Sequence, residues 1–185
     1  MRMPISGGSP ELLLDAGVGI NDIACAKRPP STLCIVTKRE QEGMVFSAFD
    51  LATRQSRELP RFEKVDDWDF FHDGSRIALL TNEQGKSRIR IVRSSGEMER
   101  EFIVERPGSS GIYCSVDGKG LYLAATPEPG VAALYYTDLR GQSRVLWQQT
   151  GRRGGFGALW PSPDGRYLAM VGTTTTSDAW LLENF

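Results

Sequence analysis

"ALWPSPDGRYLAMV", Ala158 to Val171, holds an apolar run, a Pro-Asp-Gly turn and a second apolar run. Asp-Gly between apolar segments signals a tight β-hairpin, because glycine accepts the positive φ that such turns require. The hairpin has two further copies, "WDFFHDGSRIALLT" (Trp68 to Thr81) and "IYCSVDGKGLYLAA" (Ile112 to Ala125). Their turn aspartates are Asp73, Asp117 and Asp164, at spacings of 44 and 47 residues. Aligned on the turn, Ile77, Leu121 and Leu168 coincide, as do Leu79, Leu123 and Met170. That alternation predicts a strand with one buried face. A fourth, degenerate copy, "DIACAKRPPSTLCIVT" (Asp22 to Thr37), places Pro29 and Pro30 at the turn.

Each hairpin is followed by a third short strand: "MVFSAFD", "SRIRIVR", "AALYYTD" and "DAWLLEN". In three copies a polar or Gly-bearing turn leads to a fourth segment, "SRELPRF", "EREFIVE" or "SRVLWQQ". A repeat of about 45 residues carrying four strands is the signature of a β-propeller blade. No window combines a helical period with caps, so the fold class is all-β: four-stranded antiparallel blades, about four of them.

The opening "MRMPISGGSPELLLDAG" reads as the end of one strand, a Gly-Gly turn and another strand, like the join between a blade's third and fourth strands. The ending "SDAWLLENF" stops on a third strand. A single propeller domain over 1–185 is therefore expected, with blades at about 22–62, 65–105, 111–150 and 156–185. An N-terminal strand, 10–16, would complete the last blade beside 178–184. That pairing closes one chain, joins two chains as a strand-exchanged homodimer, or belongs to a larger propeller.

With 22 basic and 23 acidic residues, the 185-residue chain lacks the basic excess of a nucleic-acid binder. No apolar run approaches the roughly 18–20 residues that cross a bilayer. "ELLL" is too short for a signal-peptide core.

The hairpins "PSPDGRYLA", "FHDGSRIAL" and "SVDGKGLYL" resemble the repeat of TolB-type, or WD-like, β-propellers over most of the chain. "PISGGSPELLL", "CAKRPPSTLC" and "AWLLENF" resemble something narrower: the C-terminal propeller of bacterial, acidobacterial-type receptor-like serine/threonine kinases and winged-helix regulators. The resemblance implies a sensor or interaction module of a signalling protein, with an extracytoplasmic (periplasmic) setting favoured over a cytoplasmic one. Neither kinase motifs nor a winged helix are visible in the chain, so the enzyme part of such a protein is not expected here.

Asp66, Asp67, Asp69 and Asp73 cluster at the start of the second blade. Innermost propeller strands face the central channel, where carboxylates offer the oxygen ligands that Ca²⁺ takes. Alternation sends Asp67 and Asp69 to one face and Asp66 to the other, so the cluster does not converge and no metal is expected. Asp67 and Asp69 remain candidates for ligand contact. So do Arg152 and Arg153 in the glycine-rich "GRRGGFG", which precedes a strand and so is no nucleotide loop. His72, the single histidine, is expected as an exposed turn residue. The tryptophans Trp68, Trp147, Trp160 and Trp180 recur at blade spacing, as residues packed between sheets would.

Cys25 and Cys34 flank the Pro-Pro turn on adjacent antiparallel strands, within disulfide reach; in a cytosolic setting both would be small apolar strand residues. Cys114 is expected as a buried free thiol. No cofactor and no catalytic set is expected. The leading function is a non-catalytic module that binds a protein or a small ligand. The alternatives are a structural piece completing a larger propeller, or a channel-centred enzyme of lactonase or glycosidase type.

Overall fold

The structure, a computed structural model, describes residues 1, 3–15, 19–41, 43–105, 108–151 and 154–174, with backbone alone at 154–157 and 172–174. Fourteen strands and no helix are present among the described residues. Blade 1 is β1 (Ile20–Cys25), β2 (Leu33–Glu40), β3 (Gly43–Asp50) and β4 (Ser56–Glu58), paired in that order. Blade 2 is β5 (Asp67–Phe70), β6 (Arg76–Glu83), β7 (Lys86–Arg93) and β8 (Met98–Val104). Blade 3 is β9 (Ser109–Cys114), β10 (Gly120–Glu128), β11 (Val131–Asp138) and β12 (Ser143–Thr150). Blade 4 is described by two strands, β13 (Gly154–Pro161) and β14 (Leu168–Thr174). All pairings are antiparallel meanders, and the innermost strands β1, β5, β9 and β13 stand side by side along an open arc.

The Asp-Gly turns share one construction. In each, the glycine has positive φ (75° at Gly74, 71° at Gly118, 70° at Gly165), which an L side chain resists. Each glycine N–H donates to the carbonyl three residues back: Phe71, Ser115 and Ser162. Each aspartate accepts the N–H two residues on, from Ser75, Lys119 or Arg166. Local turn chemistry thus sets the register of three hairpins.

The expected single buried face is corrected by packing. On β6, Ile77 and Leu79 face blade 1 with Phe46, Trp68 and Phe70, whereas Ala78 and Leu80 face blade 3 with Ile112, Leu121 and Leu123. A strand inside a blade sandwiched by two others is apolar on both sides, so its sequence is a near-continuous run. The outermost strands β8 and β12, which border solvent, are largely exposed along their length.

Trp68 fills the wedge between blades 1 and 2, its ring 5.4 Å from that of Phe46 at 79°. Trp160 stands exposed on blade 4. Trp180, like the third strand 178–184, lies outside the described residues. The expected N-terminal strand, 10–16, is replaced over 10–15 by irregular chain with one bridge at Glu11, which pairs with Arg54. Its predicted partner, 178–184, is outside the described residues.

Candidate functional site

β5 is four residues long, and its alternation turns Asp67 and Asp69 toward blade 3. The Ile112 N–H donates to Asp67 Oδ2 at 2.8 Å, and the Cys114 N–H donates to Asp69 Oδ2 at 2.6 Å. Two alternate carboxylates on one innermost strand therefore take two alternate amides from the edge of the next. Unpaired edge amides buried in a seam need such partners. Burial pushes Asp67 up to about 6, against the pull of the Ile112 and Trp68 amides, and the neighbouring Asp69 charge adds to the rise. Burial raises Asp69 too, opposed by its bonds from Cys114 and Phe70 and by the Lys27 charge. The Cys114 thiol is fully buried, free and pushed well up, by burial first and by the Asp69 charge second. One blade on, Tyr113 occupies the Asp69 position relative to the turn and bonds the Leu159 amide, burial raising its hydroxyl. Sequence alternation places these side chains on one face. It carries no sign that the next strand's edge lies within reach.

The turns between first and second strands line one side of the arc and touch in series. The Lys27 and Arg28 N–H groups donate to the His72 carbonyl at 2.8 and 2.9 Å. The Arg76 guanidinium donates to the Gly118 carbonyl at 3.0 Å and stacks over the Phe71 ring at 4.2 Å. His72 is the correction here: blade 1's turn covers it, leaving 5% of its surface accessible. Its Nε2 lies 3.3 Å from Lys27 Nζ, and burial, then the Lys27 and Arg28 charges, lower its pKa.

The opposite side of the arc carries the connections between blades. There a polar cleft of about 370 Å³ opens between blades 1 and 2, lined by Arg39, Glu40, Gln41, Lys64, Asp66 and Asn82 among others. Asp66 accepts the Asn82 N–H at 2.6 Å, which fixes the cleft floor. Arg152 and Arg153, in the connection before β13, lie outside the described residues. No three His, Cys, Asp or Glu groups gather as a metal site among the described residues. Cys25 and Cys34 are direct register partners on β1 and β2, with their sulfurs 1.98 Å apart.

Repeated four-stranded antiparallel sheets, packed face to face with their first strands innermost, decide the architecture. The chain has the β-propeller fold. TolB from Acinetobacter baumannii is similar over 95% of this chain and 43% of its own, with a TM-score of 0.68 and 18% identity. A Dos1 propeller matches 81% of this chain and 40% of its own (TM-score 0.53, 12% identity). Nidogen, in its complex with laminin, gives 82% and 56% (TM-score 0.60, 14% identity). The chain thus spans 40–56% of the length of these three propeller-containing chains. Enzymes are similar as well, a prolyl endopeptidase and the hydrazine synthase of Kuenenia stuttgartiensis included. No family model and no curated protein matches the sequence. At these identities the likeness establishes the fold alone.

Proposed function

We propose that this propeller is a non-catalytic module that binds a protein partner, and that it forms the sensor or interaction part of a bacterial signalling protein. One observation carries the reading. The two innermost carboxylates that a channel-centred hydrolase would aim at its substrate are turned into the blade 2–blade 3 seam and hydrogen-bonded to backbone amides. The open surface lies elsewhere, on the side of the inter-blade connections. The polar cleft there, with Arg39 and Lys64 on its walls, is the proposed docking face. Arg152 and Arg153, the sequence's other candidates for ligand contact, are proposed to take part in recognising an acidic protein segment.

Fluorescence anisotropy with labelled acidic and basic peptides tests the proposal. Acidic peptides should bind more tightly at low salt, and Arg152→Glu with Arg153→Glu should weaken them at least ten-fold. Equal binding of both peptide classes would refute the docking face. Hydrolase activity that vanishes in Asp67→Asn or Asp69→Asn would refute the non-catalytic reading.

A further inference from the structure

On the side of the arc that carries the Asp-Gly turns, the seam between blades 1 and 2 and the seam between blades 2 and 3 can be compared position by position. In the first, Arg57 of β4 reaches the turn joining β7 to β8 and donates to the Ser95 carbonyl at 3.0 Å and the Ser94 carbonyl at 2.5 Å. In the second, Arg100 of β8 reaches the turn joining β11 to β12 and donates to the Leu139 carbonyl at 3.0 Å. The two arginines hold one place in the repeat, since Arg57 is the register partner of Ala48 and Arg100 that of Ile91, the matching residues of β3 and β7. A single arginine clasps each seam.

The residues around the clasp differ. Counted from the turn glycines Gly96 and Gly141, Ser95 of the first seam becomes Arg140 in the second. Counted from the turn aspartates Asp73 and Asp117, Ser75 becomes Lys119. The first seam thus sets hydroxyls beside its arginine, and the second sets two more cations. A cleft of about 280 Å³ opens there between blades 2 and 3, lined by Ile91, Glu99, Arg100, Lys119, Asp138 and Arg140 among others.

Both carboxylates of the cleft are already engaged. Asp138 Oδ1 accepts the Arg140 and Gln142 N–H groups at 2.8 and 2.9 Å. Glu99 lies 3.7 Å from the Arg76 guanidinium and 3.8 Å from that of Arg93. None of the ion pairs among the described residues takes Arg100, Lys119 or Arg140. Like charges gathered on one cleft repel. The first seam holds together without two of these three, so the fold does not require that repulsion.

We propose that this cleft binds the phosphoryl group of a small molecule. The guanidinium forks of Arg100 and Arg140 match phosphate oxygens, and Lys119 supplies a compact third charge. Three cations with no carboxylate of their own suit a dianion better than a single carboxylate. The volume stands at the lower end of small-ligand sites, which run from about 300 to 1,000 Å³. The site lies across the arc from the proposed docking cleft and is independent of it.

Isothermal titration of the whole chain at fixed ionic strength tests this, with O-phosphoserine, inorganic phosphate and serine as probes. O-phosphoserine should bind one to one, and serine, which lacks only the phosphoryl group, should not bind. Lys119→Ser and Arg140→Ser restore the residues of the first seam, and each should weaken binding about ten-fold, as the loss of one charge-assisted hydrogen bond does. Ser95→Ala, at the matching position of the first seam, should leave binding unchanged. Tighter binding of O-phosphoserine than of inorganic phosphate would identify a phosphate ester as the ligand, and equal binding free phosphate; both support the site. Lys119 and Arg140 are exposed, so both variants should keep their β-sheet circular dichroism, and if one fails to fold the other decides. No heat with either phosphate probe at millimolar concentration, equal binding of serine, or binding indifferent to both substitutions would each overturn the proposal.

Discussion

The seam between blades 2 and 3 and the leading face of blade 1, which is turned away from blade 2, rest on the same register positions but are finished differently. In the seam, Leu80, Ile89 and Ile91 meet Ile112, Leu121 and Leu123 with no accessible surface to speak of, and Asp67 and Asp69 stitch the strand edges. On blade 1, irregular chain covers Val36 and Phe49, leaving a cavity of about 490 Å³ and Ile23 57% exposed. A blade repeat specifies a packing face. It does not specify what covers that face, and the filling decides how much each side chain contributes.

Truncation should separate the two regions most widely. Ile89→Ala in the seam is expected to cost about 2–5 kcal/mol, because the close-packed neighbours cannot collapse into the void. Ile23→Ala on the leading face should cost well under that, since half of its surface is already solvated. Urea melts of both variants check the contrast, and equal losses would mean that the leading face is as well packed as the seam.

Next in size is the Cys25–Cys34 bond, which closes a short loop on the less well-covered face. Closing a loop of this length restricts the unfolded chain by about 2–3 kcal/mol. Oxidised protein should therefore melt above the reduced form. Thiol labelling of the unreduced, denatured chain should find Cys114 alone; three labelled thiols would exclude the bond.

Smaller again is the stitch. Asp69→Ala leaves the buried Cys114 amide without an acceptor, at a cost of about 1–3 kcal/mol. Asp69→Asn keeps a carbonyl oxygen in place and removes a buried charge, so it should fall close to the wild type. If the asparagine and alanine variants lose equally, the charge and not the amide bond matters at that position.

Legibility followed locality. The Asp-Gly turns, the strand pairs and the blade count of the described arc were readable, because turn chemistry and strand period act over a few residues. Blade-to-blade relations were not. His72 reads as a turn residue and is one, yet the preceding blade's turn, 45 residues earlier in the chain, buries it. Asp67 and Asp69 read as channel carboxylates, because nothing in "DDWDF" indicates that the amides of Ile112 and Cys114 will arrive beside them. The two-sided burial of β6 was masked for a similar reason: counting alternate positions hides the equally apolar Ala78 and Leu80 between them.

The last contrast sets seam aspartates against turn aspartates, and it is read in pH. Asp73, Asp117 and Asp164 are held below the ordinary 3.8 by bonds from serine hydroxyls and turn amides, partly offset by burial at Asp73 and Asp117. The stability they contribute is present above the unfolded value and is lost as pH falls through their folded values. Asp67 has the opposite sign. Burial raises it to about 6, so its contribution is full below 3.8 and is lost as pH climbs through about 6. His72, lowered from 6.5, counters it, because its contribution grows as pH rises toward 6.5. The whole-protein curve therefore mixes two signs, and a difference between variants is needed to separate them. Asp67→Asn removes the descending part alone while leaving an oxygen for the Ile112 amide. Relative to wild type it should gain stability from pH 4 to pH 7, by a melting shift on the order of 5–10 °C across that range. A difference that stays flat across that range would mean that Asp67 is ionised as easily in the folded chain as in the unfolded one, and that its seam is open to water.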